Sequence, residues 1–388
     1  MTLDRRRPLR GAVSLLVWGL TACNGRDAFG PRKSESAPSA AVSAPVPSAV
    51  LPVALPDGAA SRVPAPAAFG LPTFSELAAK ADPAVVFIET EQAMFGHGRR
   101  IVAGGVGTGF VFDPSGLILT NYHVVASATR IDAVFGEEDR RRVTVVGSDA
   151  PTDIAVLRVE GNNLPHLELG DSDRCKVGDW VVAIGNPFGL SHTVSAGILS
   201  AKGRTRSDVK GLDPSGYYDY LQTDASINPG NSGGPLLDLS GRVIGINTAI
   251  KPEANSIGFA IPIDMVRELI PQLLAHGKVR RSAIGVVVAS VKEEDVLRLG
   301  LGTRKGAIVT RVVAGGAGDQ AGLEVDDVIS SFEDAVGVGP NRLRWLTSIA
   351  GVGKKVRVKV VRARRVLELT VTLGELPESP SESPLAVP

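Results

Sequence analysis

The chain has 388 residues, a formal net charge of +1 and a hydrophobic fraction of 44%. That length exceeds what one hydrophobic core usually serves, so two folded domains plus unstructured segments are expected. A near-neutral charge leaves no electrostatic footprint for nucleic acid, and 44 glycines beside 5% aromatic residues suit turn-rich β domains better than helical bundles.

Residues 1–22 read as an export signal. Arg5, Arg6, Arg7 and Arg10 form a positive n-region, and the apolar run Gly11 to Leu20 is too short to cross a bilayer comfortably. The run ends in Leu20-Thr21-Ala22-Cys23, which resembles the bacterial lipobox. That resemblance implies cleavage before Cys23 and a lipid anchor on it, the alternative being an ordinary signal peptide with an incidental cysteine. Asn24 rather than Asp follows, which favours the outer membrane over the inner. Residues 23–72 are rich in Ala, Pro, Ser and Val and cannot bury enough apolar surface to fold, so they are expected to be a tether. The only other cysteine, Cys175, is expected to be a bystander, and no His/Cys cluster has metal-ligand spacing.

Between residues 73 and 277, short β-prone runs recur between Gly, Asp, Asn and Pro. They are Ala84–Ile88, Gly109–Phe112, Leu117–Thr120, Val143–Val146, Ile154–Val159, Trp180–Ile184, Val243–Asn247 and Ile257–Ile261. Such spacing predicts an all-β sandwich or barrel. Ile263, Val266, Leu269, Ile270, Leu273 and Leu274 share one helical face, with Gly277 placed to end the helix and Pro271 threatening its continuity.

Residues 278–375 form a second unit, with strands expected at Ile284–Val288, Ala307–Val313, Asp327–Phe332, Lys355–Val361 and Val366–Leu373, and a helix at Asn341–Ile349. Residues 376–388 turn to Pro, Ser and Glu, a composition that favours a disordered tail.

The sharpest chemical signal is Gly230-Asn231-Ser232-Gly233-Gly234-Pro235-Leu236. A serine hydroxyl is a poor nucleophile that needs a base and donors for the oxyanion that follows its attack. Glycines let the backbone turn sharply and bring a carbonyl close to main-chain N–H groups. The amides of Gly230 and Ser232 are the natural donors, with Asn231 shaping the turn between them. Alone, such a glycine-rich turn is weak evidence. Upstream, however, His123 follows the apolar run Leu117–Thr120, and Asp153 precedes the apolar run Ile154–Val159. Each taken singly reads as a surface or turn residue. Together they are base, orienting acid and nucleophile, in the chain order of the chymotrypsin type.

Gly107-Thr108-Gly109-Phe110, Leu119–Val125, Thr152–Leu157, Gly185-Asn186-Pro187-Phe188-Gly189, Gln222–Leu236 and Gly258-Phe259-Ala260-Ile261-Pro262 resemble the HtrA/Deg proteases. The resemblance implies a mainly β fold, a chymotrypsin-like double β-barrel followed by a PDZ domain. It implies a homotrimer that needs no cofactor and degrades unfolded or misfolded proteins in the cell envelope, cutting after small aliphatic residues. It also implies that Ser226-Ile227-Asn228-Pro229 helps form the primary pocket, with Ile227 as a wall. His97, His166, His192 and His276 are expected to be loop, turn or helix-end residues.

Arg281-Ser282-Ala283-Ile284-Gly285-Val286 resembles the carboxylate-binding turn of PDZ domains, where backbone N–H groups of Ile284, Gly285 and Val286 receive a peptide C-terminus. Three features depart from that family. Asp326 stands where Gly is usual, Ala314 to Gly318 replaces a Pro-containing turn, and Glu333-Asp334-Ala335 replaces Asn-Gly. A structural lobe without peptide binding is the alternative for this unit. For the whole chain, the alternative to an active protease is a latent or non-cleaving chaperone or sensor scaffold.

Overall fold

The computed structural model describes residues 73–96, 99–186, 193–209, 211–248 and 257–377, all within one compact unit. Cys23 and the signal and tether, His97, His192 with the stretch 187–192, and the tail from residue 378 lie outside the described residues. After helix α1 (Phe74–Ala81), capped by Thr73 and Glu76, twelve strands form two closed barrels. The first comprises β1 (Val85–Gly96), β2 (Arg99–Asp113), β3 (Leu117–Thr120), β4 (Arg130–Phe135), β5 (Asp139–Asp149) and β6 (Ile154–Val159), in the order β1-β2-β3-β6-β5-β4. The second comprises β7 (Trp180–Gly185), β8 (Thr193–Arg204), β9 (Tyr220–Thr223), β10 (Pro235–Asp238), β11 (Val243–Thr248) and β12 (Gly258–Pro262), in the order β10-β11-β12-β9-β8-β7.

Each barrel fills its own interior, the first with Val86, Ile88, Ile118, Ala133 and Leu157, the second with Val181, Leu199, Leu221, Leu236 and Ile244. A third cluster joins the barrels. It gathers Val85, Phe110, Leu119 and Ile154 from the first, Val182, Ile184, Leu237 and Ile246 from the second, and Val266, Leu269 and Leu273 from helix α3 (Ile263–His276). Burial of this apolar seam holds the barrels in one relative orientation.

The double-barrel expectation agrees with this architecture. Strands β4, β8, β9 and β10 were not anticipated. In β4, Arg130 and Asp132 interrupt the apolar run, yet Asp132 is buried because Arg130 Nε donates to it at 2.8 Å. Helix α3 runs through Pro271 and stops at Gly277, whose φ of 72° is easy only for glycine.

The C-terminal unit is a sheet in the order β14 (Val286–Ser290), β15 (Ala307–Val312), β16 (Val328–Phe332), β18 (Lys355–Arg362), β19 (Arg365–Thr372), with β17 (Ala335–Val336) paired to β16. A short pair, β13 (Ser282–Ala283) and β20 (Gly374–Glu375), closes its ends, and helices α4 (Glu293–Leu299), α5 (Ala317–Gln320) and α6 (Pro340–Ile349) complete it. Val356, Val358 and Val360 point into its core while Lys355, Arg357 and Lys359 between them are exposed, the period of two that strands impose. The first expected strand begins two residues later than anticipated, because Gly285 turns at φ 76°. Asp326 has φ 72°, which explains a usual glycine there; Asp tolerates this conformation, and Arg298 holds it with bonds of 2.6 and 2.8 Å. Glu333 has φ 51° and is held likewise, its carboxylate accepting from the Arg357 amide at 2.9 Å.

Candidate active site

Strand pairing brings the first two residues together. β3 and β6 are antiparallel, with Thr120 opposite Ala155, so the residues just after β3 meet those just before β6. His123 lies in the single turn α2 (Tyr122–Val125) after β3, and Asp153 is the residue before β6. Asp153 sits at φ 58°, reached through a 3₁₀ turn over Ala150–Thr152 that contains Pro151. There its Oδ1 accepts from the His123 amide at 2.9 Å and its Oδ2 meets His123 Nδ1 at 2.7 Å. Its carbonyl accepts from the Tyr122 amide and from Asn121 Nδ2, both at 3.1 Å. Thr248, at the end of β11, donates to Asp153 Oδ2 at 3.4 Å, so the second barrel also touches the carboxylate.

The Asp153 contact fixes the imidazole with Nδ1 toward the carboxylate, leaving Nε2 for chemistry. Desolvation at the seam opposes charge on the ring. The hydrogen bond and charge of Asp153 together outweigh it, so the His123 pKa lies above its ordinary value.

Ser232 is buried and enters from the second barrel, three residues before β10. Its turn is knitted to the first barrel by backbone. Thr108 N in β2 donates to Ser232 O at 2.9 Å, and Thr108 Oγ1 donates to Gly230 O at 2.5 Å. Gly233 has φ 86°, and a Cβ there would lie 2.1 Å from Thr108 O, 2.4 Å from Thr120 Oγ1 and 3.2 Å from Asn121 N. The turn therefore abuts the chain two residues before His123. This close approach is the physical reason for glycine at that position. Asn231 uses its side chain to brace the turn, accepting from Asn228 N at 2.9 Å and donating to Ser226 O at 3.0 Å. Gly230 has φ 110° and is buried, and its amide donates to no acceptor among the described residues.

Ile227 is half-buried against the second barrel's core, and a Cβ on Gly258 would meet its Cγ1 at 2.4 Å. Ile284 is buried, and Gly285 accepts from the Val313 amide at 2.9 Å. Val286 then opens β14, an outer strand of its sheet. Cys175 donates from Sγ to Asp171 O at 3.3 Å, and burial pushes its thiol pKa up, away from nucleophile chemistry. His276 ends α3 and His166 is exposed.

Sequence reasoning missed Thr248 and left Thr108 without a role. Thr248 reaches Asp153 across 95 residues and only because the barrels pack, so no local pattern marks it. Thr108 lay in a motif but touches the turn across 122 residues.

The family described as a trypsin-like peptidase domain matches residues 107–246. A probable periplasmic serine endoprotease, DegP-like, from Pseudomonas putida (strain W619) is 37% identical over 351 residues, 80% of this chain and 72% of that protein. A DegP-like counterpart from Chlamydia pneumoniae is 42% identical over 282 residues, 72% of this chain; the chain spans 57% of that relative's length. Among solved structures, an HtrA-type protease, AlgW, determined with a tripeptide, is 36% identical with a TM-score of 0.69, covering 79% of this chain and 99% of that one. A serine endoprotease from Yersinia pestis is 30% identical with a TM-score of 0.58, covering 79% of this chain and 99% of that one.

Proposed function

The chain belongs to the HtrA-type, DegP-like serine endoproteases, and from that premise we propose that Ser232 is the nucleophile of an endopeptidase of the cell envelope, with His123 as its general base and Asp153 as the residue that orients the base. The single observation that carries this reading is the 2.7 Å contact of His123 Nδ1 with Asp153, beside a Ser232 turn that is bonded to Thr108 and abuts, at Gly233, the chain that leads into His123. His123 takes the Ser232 proton as the hydroxyl attacks a peptide carbonyl, and returns it to the leaving amine. The Gly230 and Ser232 amides receive the oxyanion, and the Gly230 amide, which has no acceptor among the described residues, supports its part. Ile227, packed at the second barrel's edge, walls the pocket for a small aliphatic side chain. The substrates are unfolded or misfolded polypeptides, and no cofactor takes part.

The C-terminal unit acts as a PDZ domain. The amides of Ile284 and Gly285 donate to no acceptor among the described residues, which suits them to a terminal carboxylate, and the free edge of β14 suits an added strand. The working assembly is a homotrimer. Support comes from Phe74 and Trp180, an aromatic pair 37% and 51% exposed with ring centroids 5.5 Å apart. Cys23 carries the lipid that holds the enzyme to a membrane.

The test is labelling with a fluorophosphonate probe, wild type beside Ser232→Ala, with and without casein. Labelling of the wild type alone supports the reading, and dependence on casein identifies a latent site. Absence of labelling in folded protein moves the assignment to a binding scaffold.

A further inference from the structure

Thr108 is fully buried at the seam between the barrels and makes four hydrogen bonds there. Its amide donates to Ser232 O at 2.9 Å and its carbonyl accepts from Thr120 Oγ1 at 2.7 Å. Its hydroxyl donates to Gly230 O at 2.5 Å and accepts from the Asn186 amide at 2.9 Å. A threonine hydroxyl carries one proton, so donation to Gly230 and acceptance from Asn186 use both of its roles at once. Gly185, one residue earlier, lies so close to the turn that a Cβ would stand 2.1 Å from Asn231 Cβ.

We infer that Thr108 is a positioning residue, whose hydroxyl fastens the oxyanion-binding turn at Gly230 to Asn186, the residue that follows β7. The inference rests on the proposed catalytic reading and adds to it a group that touches no substrate. Gly230 occupies φ 110°, a conformation from which a glycine can rotate at little cost. Rotation of the Pro229–Gly230 peptide would turn the Gly230 amide away from an oxyanion. Pinning the Gly230 carbonyl holds the next peptide plane and with it the Gly230 Cα, one end of the axis about which that rotation turns. The pin is attached to Asn186, the last described residue before the stretch 187–192, so that residue and the donor turn share one hydroxyl.

Valine has the shape of threonine without the hydroxyl and would leave both the Gly230 carbonyl and the Asn186 amide unsatisfied in a buried place. The two backbone bonds of Thr108 survive the exchange, so Thr108→Val isolates the hydroxyl. Serine keeps the hydroxyl and loses only the methyl group.

The experiment uses the full chain without its signal segment and three readouts: hydrolysis of a fluorogenic peptide with a small aliphatic residue before the scissile bond, inhibition by the matching peptide aldehyde, and the pH profile. Thr108→Val should lower kcat by about 10- to 100-fold, at or below the loss seen when an oxyanion donor itself is removed, with KM nearly unchanged. Affinity for the aldehyde, whose adduct carries the oxyanion, should fall by the same factor. Thr108→Ser should restore both, and the acid limb set by His123 should not move. Wild-type kcat in Thr108→Val would overturn the inference. So would an equal loss in Thr108→Ser with an equally lowered melting temperature, since packing rather than the hydroxyl would then be responsible. A wild type that neither hydrolyses peptide nor takes the fluorophosphonate label overturns the catalytic reading and this inference with it, whereas a labelled wild type with a fully active valine variant overturns the inference alone.

Discussion

Arg281 reaches out of the C-terminal unit to donate from Nη2 to the carboxylate of Asp149, and both side chains are less than a tenth exposed. Asp149 begins the turn that presents Asp153, and Thr152 within that turn donates to the same carboxylate. The Arg281 guanidinium also lies over the Tyr217 ring at 4.2 Å, and Tyr217 N donates to Pro151 O at 2.7 Å.

Breaking a buried pair by removing one partner leaves a charge without compensation and costs about 3–5 kcal/mol. Asp149→Ala should therefore destabilise by roughly that amount, while Asp149→Leu combined with Arg281→Met should recover most of it. Urea unfolding followed by Trp345 fluorescence reads this seam, since Trp345 packs edge-on to Tyr217 at 5.8 Å. A double variant as unstable as the single one would show that the pair is a net stabiliser.

In the proposed mechanism His123 must be neutral to accept the Ser232 proton. Asp153 raises its pKa, so the ring holds its proton to a higher pH than a free imidazole does. Activity should be lost as pH falls through a value above about 6.5, the ordinary histidine pKa. Profiles of kcat/KM from pH 5 to 9 check this, and a midpoint below 6 would count against the Asp153 contact in the working enzyme. Under the proposed mechanism Asp153→Asn should lower kcat by about 10⁴-fold, as loss of the orienting acid does in a Ser-His-Asp triad.

Gly233→Ala would place a methyl group 2.1 Å from the Thr108 carbonyl oxygen at a φ of 86°. The turn must shift, and Ser232 with it. Fluorophosphonate labelling should slow by at least about 100-fold, in line with the sensitivity of catalysis to misplacements near 1 Å. Far-ultraviolet dichroism should stay close to wild type, because both barrels close without this turn.

If the Phe74–Trp180 patch is an assembly surface, Trp180→Asp should shift sedimentation from trimer to monomer. The barrel should survive, since Trp180 is 51% exposed and its ring is not part of a core. An unchanged trimer would place the interface elsewhere.

The chain order of His123, Asp153 and Ser232 and the glycines around the serine were legible because they obey local rules. An apolar run followed by a polar residue marks a strand end, and a glycine cluster marks a turn that side chains would obstruct. Alternation made Lys355–Arg362 legible for the same reason, and Pro271 misled only because a helix with many buried neighbours tolerates one missing N–H. Strands β8 and β10 escaped because their burial comes from barrel closure, which no window along the chain contains. Likewise Thr248 against Asp153, Thr108 against Gly230 and Arg281 against Asp149 join residues 95 to 132 positions apart. By itself, then, the sequence determined which residue types were available for acyl transfer and where the chain would bend around them. Which hydroxyl braces the turn, which carboxylate is buried and which faces meet were decided only in the tertiary structure, because those contacts form when two barrels and a third unit bury a common seam.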